Sequence, residues 1–293
     1  MKKNNFISQT VLTIFLAVLS ILVVIPFIIL FSVSLSSETD ISYYGYSLLP
    51  RKIDFSAYEF VFKNPTKILN AYKVTFIFSV LSMVLSTVMI SLFAYPLSRS
   101  NFKPRKKLSF VMYFTTLFNG GLVPTYILIT QYLHLNNTIW VYIVPGLFNV
   151  WSAFVMRTFF QGLPEAIIES AYIDGANEYR ILFQIVYPLS KPVLATMAVN
   201  IFLGQWNNWY TAMLYIDNPE LQSLQYMLQR IMQNLQLLQE NQKAAQMMVD
   251  AQNIPSETVR MAMAVVVAGP ILFVFPFFQK YFVKGMVLGS VKG

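Results

Sequence analysis

Long apolar runs separated by short polar breaks dominate the chain, and their lengths decide how it is read. Runs free of Asp, Glu, Lys and Arg cover 4–37, 74–98, 108–156, 192–216 and 261–279. A helix needs roughly 20 apolar residues to cross a bilayer, so each run can span once and 108–156 can span twice. Six membrane helices are therefore predicted, near 11–35, 72–97, 108–131, 138–160, 188–212 and 259–281. The polar stretch 132–137, with its Asn136-Asn137 pair, marks the turn between the third and fourth. Two longer segments, 36–71 and 213–258, and a polar loop at 164–187 connect the rest. In the second long segment, Asp217-Asn218-Pro219 suits a helix start, and Leu224, Leu228, Ile231, Leu235 and Leu238 recur at helical spacing. That stripe suits packing on its own membrane domain or docking on another subunit.

Composition agrees with the pattern: 56% of residues are hydrophobic and 12% are charged, against about 25% charged in an ordinary soluble domain. The fold class expected is an all-α membrane protein, and the whole of 1–293 is read as one transmembrane domain. Lys2-Lys3 precedes the first run as in a secretory signal, but the run is too long and no small-residue cleavage site follows, so it is read as a retained span. The 98–107 loop carries five basic residues and the 132–137 loop none, which places both termini and the 164–187 loop in the cytoplasm of a multi-pass protein of the cytoplasmic membrane. The net charge of +8 then follows from topology and calls for no nucleic acid. Without cysteine there is no thiol chemistry or disulfide, and the single histidine, His134, reads as a polar residue of an external turn.

The loop at 164–187 concentrates polar chemistry. Glu165, Glu169, Asp174 and Glu178 stand between two long apolar runs. Pro164 and the early acids suit a helix N-terminus, and Asp174-Gly175 reads as a stop where glycine takes a left-handed conformation. Ile168, Ala171, Tyr172 and Gly175 share one face, a small apolar ridge suited to a partner's groove. A helix lying on lipid headgroups is the other reading, which four acids oppose on an anionic surface. The chain contains no Gly-Lys pair, hence no P-loop, and its spans carry no Asp or Glu for an ion relay. Any driven process would have to draw its energy from outside this chain.

Glu169-Ser170-Ala171, Asp174-Gly175, Ile185 and Pro188 in this order resemble the EAA loop of ABC importer permeases, with Ser170 and Tyr187 as mild departures from the family pattern. Phe202 through Trp209, Ile254 through Ala262 and the tail Gln279 through Gly293 are similar to segments of carbohydrate-uptake permeases of the maltose-permease-G-like, lipoprotein-C-type polysaccharide branch. The resemblance implies a type I importer transmembrane domain with six spans and a cytoplasmic coupling helix. It further implies ATPase contact through Glu165, Glu169, Ser170, Ala171, Asp174, Gly175, Ile185 and Pro188. Implied partners are a second homologous permease chain, two ATPase subunits that bind ATP and Mg, and an extracellular solute-binding protein. The chain itself would need no cofactor and no metal.

Uncharged polar residues within the spans are candidates for the substrate path: Asn119, Tyr126, Asn149, Trp151, Asn200, Gln205, Trp206 and Asn207. Amides hydrogen-bond sugar hydroxyls and aromatic faces stack on the C–H face of a pyranose, which suits an oligosaccharide. The same residues also suit an interfacial aromatic belt or helix-to-helix hydrogen bonds. A secondary transporter and a non-transporting scaffold remain as other classes.

Overall fold

The computed structural model describes residues 2–244 and 257–271. Among them the regular structure is helical, apart from one isolated antiparallel bridge between Ser36 and Ile53. It divides into two compact units, Met1–Ile68 with Leu228–Pro270 and Leu69–Met227 with Ile271–Gly293.

In the first unit, α1 (Lys2–Ser34) contains the apolar stretch Gln9–Ser34, none of whose most apolar window is buried within the chain. A row of exposed Val, Leu, Ile and Phe of this kind is stable only against lipid or another protein. Two short helices follow, α2 (Glu38–Tyr44) and α3 (Ser56–Val61). Ser37 caps α2 by accepting the Asp40 N–H at 3.2 Å. The segment is folded back by Asp54 N–H donating to the Leu35 carbonyl at 2.9 Å and by a 2.9 Å bond between the Ser34 and Tyr58 hydroxyls. Its main polar knot lies at the N-terminus of the helix at 257–271. There the Glu38 carboxylate accepts the Glu257 N–H, the Thr258 N–H and the Thr258 hydroxyl at 3.0, 3.0 and 2.8 Å. Tyr46 donates to Glu257 at 3.0 Å, and Arg260 pairs with the same carboxylate at 3.3 Å. A carboxylate from 219 residues away thus supplies the capping that helix N-termini need.

The second unit is organised along α4 (Pro65–Ser98), 34 residues and about 50 Å long. After it come α5 (Arg105–Leu117), α6 (Leu122–Ile127) with a π-turn at Leu128–Tyr132, and α7 (Trp140–Ile143) with a 3₁₀ turn at Val144–Gly146. Then follow α8 (Val150–Gln161), α9 (Glu165–Ile173), α10 (Glu178–Ile181) with a π-turn at Leu182–Val186, and α11 (Tyr187–Leu189). The last are α12 (Lys191–Trp206), α13 (Tyr210–Tyr215) and the start of α14 (Leu224–Ala244). Two cores form along α4. Near its start Val74 and Phe78 pack with Ile129, Val141, Tyr142, Ile143, Ala212 and Tyr215, and the Phe78 and Tyr142 rings stack at 4.2 Å. Near its end Ile90, Ala94 and Tyr95 pack with Ala153, Met156, Phe160, Ile168, Ala171, Ile181 and Met197.

Not all of the six expected spans are continuous helices. Among the described residues two unbroken helices are long and apolar enough to cross a bilayer, Gln9–Ser34 and Pro65–Ser98, and counting each bent pair as one span raises this to 4. The third, expected over 108–131, is split at Phe118–Gly121. Phe118 is extended, Asn119 Oδ1 accepts the Gly121 N–H at 2.8 Å, and Gly121 has φ +86°. The fourth bends by 54° after Pro145, which has no N–H to continue the ladder. The fifth bends by 83° at Ser190, between two prolines, and α12 ends at Trp206 rather than at 212. Of the sixth, expected over 259–281, the part after 271 lies outside the described residues, as do 254–256 of the motif and the tail from 279 on.

The apolar stripe of α14 is buried at Leu224 and Leu228, which favours packing within the chain over docking at that end. Glu38→Ala removes three charge-assisted bonds and should cost about 1–3 kcal/mol. A fall in the thermal unfolding midpoint is expected, smaller for Glu38→Gln, which keeps an acceptor. An unchanged midpoint for Glu38→Ala would show that this cap contributes nothing.

Candidate functional site

The loop at 164–187 folds as two helices pinned to the end of α4. α9 starts after Pro164, whose φ of −60° leads into the helix, and stops as the sequence predicts. Gly175 has φ +76°, its N–H bonds the Tyr172 carbonyl at 3.0 Å, and the Ala176 N–H bonds the Ala171 carbonyl at 2.9 Å. This pair of bonds is a Schellman motif, completed by Ala176 and Ala171 meeting the same apolar core. A Cβ added at Gly175 would meet nothing within 4 Å, so the position is strained by its backbone alone and opens away from the chain. The apolar ridge is a correction to the sequence reading. Ile168 is 1% exposed and Ala171 7%, and both face the core of the chain's own second unit. What α9 leaves exposed is the other edge, with Glu165, Glu169, Ser170 and Asp174, and with Ile173 at 86% exposure. Ile185 is half-buried on the same core and Pro188 is exposed on α11.

Sequence reasoning missed what Glu178 does. Its carboxylate accepts the Tyr95 hydroxyl at 2.6 Å and, on the other oxygen, the Tyr172 hydroxyl. Tyr172 has its pKa pushed up, first by burial and then by the Glu178 bond, so it stays a donor. Ser100 donates to Glu165 at 3.3 Å, and the Ser91 and Tyr187 hydroxyls bond to each other. α9, α10 and α11 are each tied to α4 or its following turn. The only signal in the sequence was a tyrosine near the end of an apolar run, which has no distinctive spacing.

Five of the eight candidate path residues line one of two cavities. One, of about 350 Å³, is lined by Gly146, Asn149, Trp151, Asn200, Gln205 and Asn208, among others. Here Asn149 caps the broken helix α8, its Oδ1 accepting the Ser152 N–H at 2.9 Å, and its amide nitrogen stays unpaired. Asn200 donates its amide to the Thr196 carbonyl at 3.0 Å, which leaves its oxygen as an acceptor. Gln205 is consumed at both ends: Nε2 donates to the Tyr142 carbonyl at 3.1 Å and Oε1 accepts from Asn208 at 3.0 Å. Trp151 is 68% exposed. The other cavity, of about 380 Å³, includes Asn119, Thr125, Tyr210 and Tyr215, and the Tyr126 ring stacks on Tyr215 at 5.5 Å. Trp206 lies in neither. It is 3% exposed and packs on Phe202 and Tyr72 at 5.7 and 6.5 Å. Asn207 is exposed and donates to the Leu203 carbonyl of its own helix at 2.9 Å. Among the described residues no group of three His, Asp or Glu is placed to hold a metal.

Broken apolar helices around uncharged cavities, with a polar helix pair set beside the longest helix, describe a membrane transport subunit. A family model described as "binding-protein-dependent transport system inner membrane component" matches residues 2–288, and the chain belongs to that family. Within it the chain is a carbohydrate-uptake ABC-importer permease subunit, and its sequence holds no P-loop. Protein LplC of Bacillus subtilis (strain 168) is 34% identical over 279 residues, covering 95% of this chain and 92% of that protein. The polygalacturonan/rhamnogalacturonan transport system permease protein YtcP of the same organism is also 34% identical, covering 95% and 96%. A solved bacterial ABC transporter involved in import of the acidic polysaccharide alginate has a chain that superposes with a TM-score of 0.80 at 30% identity. That match covers 95% of this chain and 98% of the other.

Because Trp206 is buried between two aromatic rings, Trp206→Ala should act through packing, at about 3–5 kcal/mol. Abundance of the folded protein and uptake should fall in parallel. Normal abundance with lost uptake would instead put the indole on the substrate path.

Proposed function

We propose that this permease subunit imports an oligosaccharide or polysaccharide fragment across the cytoplasmic membrane by alternating access. It does so as a six-pass protein with both termini in the cytoplasm. Its partners in this reading are a second homologous permease chain, two ATPase subunits that carry ATP and Mg, and an extracellular solute-binding protein. The names of the relatives, which concern pectic and alginate polysaccharides, support a glycan as cargo.

The observation that carries the reading is the two-sided construction of α9. One side, Ile168 and Ala171, is locked into the core along α4, and Glu178 ties the following turn to Tyr95. The other side presents Glu165, Glu169, Ser170, Ile173, Asp174 and the open surface at Gly175. A partner that grips the exposed edge moves a body rigidly connected to a 34-residue helix, so its displacement passes into the membrane domain rather than being lost in a flexible loop. Free energy enters because the ATPase makes different contacts in its two states, as any driven two-state change requires. Ser170, Ile185 and Pro188 belong to this coupling surface or its support.

For the substrate, the 350 Å³ cavity is the best-equipped place on this chain. Asn149 offers a donor, Asn200 an acceptor and Trp151 an exposed ring, and the N-terminus of α8 adds its positive end. Gln205 supports this wall from behind by holding the Tyr142 carbonyl next to the Pro145 break. Asn119 lines the second cavity, which continues the path on the other side of that break, and Tyr126 backs it by stacking on Tyr215.

Two experiments test the two halves. Gly175→Val forces a β-branched residue into a left-handed conformation, at about 1–2 kcal/mol, and adds a side chain on the docking edge. It should leave insertion intact and detach or uncouple the ATPase, whereas Gly175→Asn should be tolerated better. Undiminished co-purification and substrate-stimulated ATP hydrolysis for Gly175→Val would remove α9 from coupling. Asn149→Ala and Asn200→Ala should each lower uptake about tenfold, as the loss of roughly 1–2 kcal/mol of hydrogen bonding implies, without loss of assembly. Uptake equal to that of the unmodified protein in both variants would place the sugar elsewhere.

A further inference from the structure

Three arginines are linked near the ends of α4 and α8 and the start of α5. Arg157 of α8 donates to the Ser109 hydroxyl at 3.0 Å, Ser109 donates to the Arg105 carbonyl at 2.6 Å, and Arg105 donates to the Arg99 carbonyl at 3.3 Å. The Nε atoms of Arg99 and Arg157 are both buried without a hydrogen-bond partner. Among the described residues no ion pair within 4.0 Å involves Arg99, Arg105 or Arg157. Lys103, Lys106 and Lys107 lie exposed on the same turn. A guanidinium taken partly out of water without a carboxylate leaves a cost that a bound anion would offset.

Arg99 also lines a cavity of about 600 Å³ whose walls suit an amphiphile. Leu92, Pro96, Phe102 and Leu182 are apolar, Asn101, Tyr95 and Tyr179 offer polar groups, and the Glu178 carboxylate completes the wall. Glu178 itself lines the cavity, its carboxylate accepting from two tyrosine hydroxyls, and Glu165 nearby accepts from Ser100, so the anion-binding charge has to come from Arg99 together with the lysines. Four to eight basic residues at the end of a membrane helix attract anionic headgroups, at roughly 1 kcal/mol for each cation near the surface.

We propose that this cavity is a binding site for one anionic phospholipid, its phosphate held by Arg99 with the cationic turn around it and its glycerol and upper acyl carbons against Leu92, Pro96, Phe102 and Leu182. The lipid would steady the very turn to which α9 and α10 are tied. The cytoplasmic placement of 98–107 proposed above makes the inner leaflet the source of the lipid. A nanodisc exposes both leaflets, so binding there is independent of that placement.

The assembled transporter in phosphatidylcholine nanodiscs is titrated with a fluorescent short-chain phosphatidylglycerol. Saturable binding is expected, weakened about fivefold by Arg99→Gln, retained by Arg99→Lys, and reduced by salt. To separate binding from any loss of folding in Arg99→Gln, Lys106→Gln together with Lys107→Gln gives a second, exposed variant pair that should weaken binding in the same direction. Glycerol 1-phosphate at matched concentration should fail to displace the probe. Displacement by it would assign the site to a free phosphate and overturn the lipid. Equal binding by the unmodified protein and Arg99→Gln would overturn the proposal, as would loss of the ATPases from Arg99→Gln with lipid binding unchanged, which would make the cavity a protein dock.

Discussion

Every backbone group freed by a helix break within this apolar chain must find a partner inside the protein, and this requirement shapes both of its polar regions. In hydrocarbon no water is available to satisfy an N–H or C=O group. At Gly121 the partner is Asn119, at α8 it is the Asn149 side chain, and for the Tyr142 carbonyl near Pro145 it is Gln205. Amides recur because a single side chain offers both a donor and an acceptor, which hydroxyls and carboxylates at neutral pH do less well. Having closed the breaks, they leave a few unused groups, and those unused groups line the cavities.

The segment after α13 shows the same economy. Asn137, itself at φ +54°, accepts the Asp217 and Asn218 N–H groups at 2.6 and 3.0 Å, and its own N–H bonds the Tyr215 carbonyl at 2.9 Å. Further along, Asn70 donates to the Glu220 carbonyl at 2.6 Å, Tyr142 to the Leu221 carbonyl at 2.8 Å, and Leu224 N–H to the Thr75 hydroxyl at 2.9 Å. One irregular stretch is thus fastened to α4, α7 and the turn before it. The walls of the 380 Å³ cavity, which α6, α7 and α13 share, are held at a fixed spacing by these bonds.

At the other end of α4 the fastening is done by tyrosines and a carboxylate rather than by amides. Glu178 accepts from Tyr95 and Tyr172, and the buried ridge of α9 fills the space below. Apolar packing fixes where the helix lies, and the polar bonds fix its rotation, so one edge is committed to the chain and the other is free for a partner. The coupling proposed for this loop would need both properties. Packing alone would permit sliding, and hydrogen bonds alone would permit hinging.

The sequence by itself determined the membrane character, the all-helical class, the family and the position of the α9 stop. These follow from run lengths, from the absence of charge and from glycine's unique tolerance of positive φ, all of which are local properties. The structure decided what no local rule contains. It turned Ile168 and Ala171 inward, because an amphipathic helix buries its apolar side against whatever core is nearest. It buried Trp206 and left Trp151 exposed, although both are tryptophans near helix ends. It used up both ends of Gln205 while leaving half of Asn149 and half of Asn200 unpaired. Periodicity reveals which residues share a helix face but not what that face meets, and a side chain's free hydrogen-bonding capacity exists only once its neighbours from distant parts of the chain are in place.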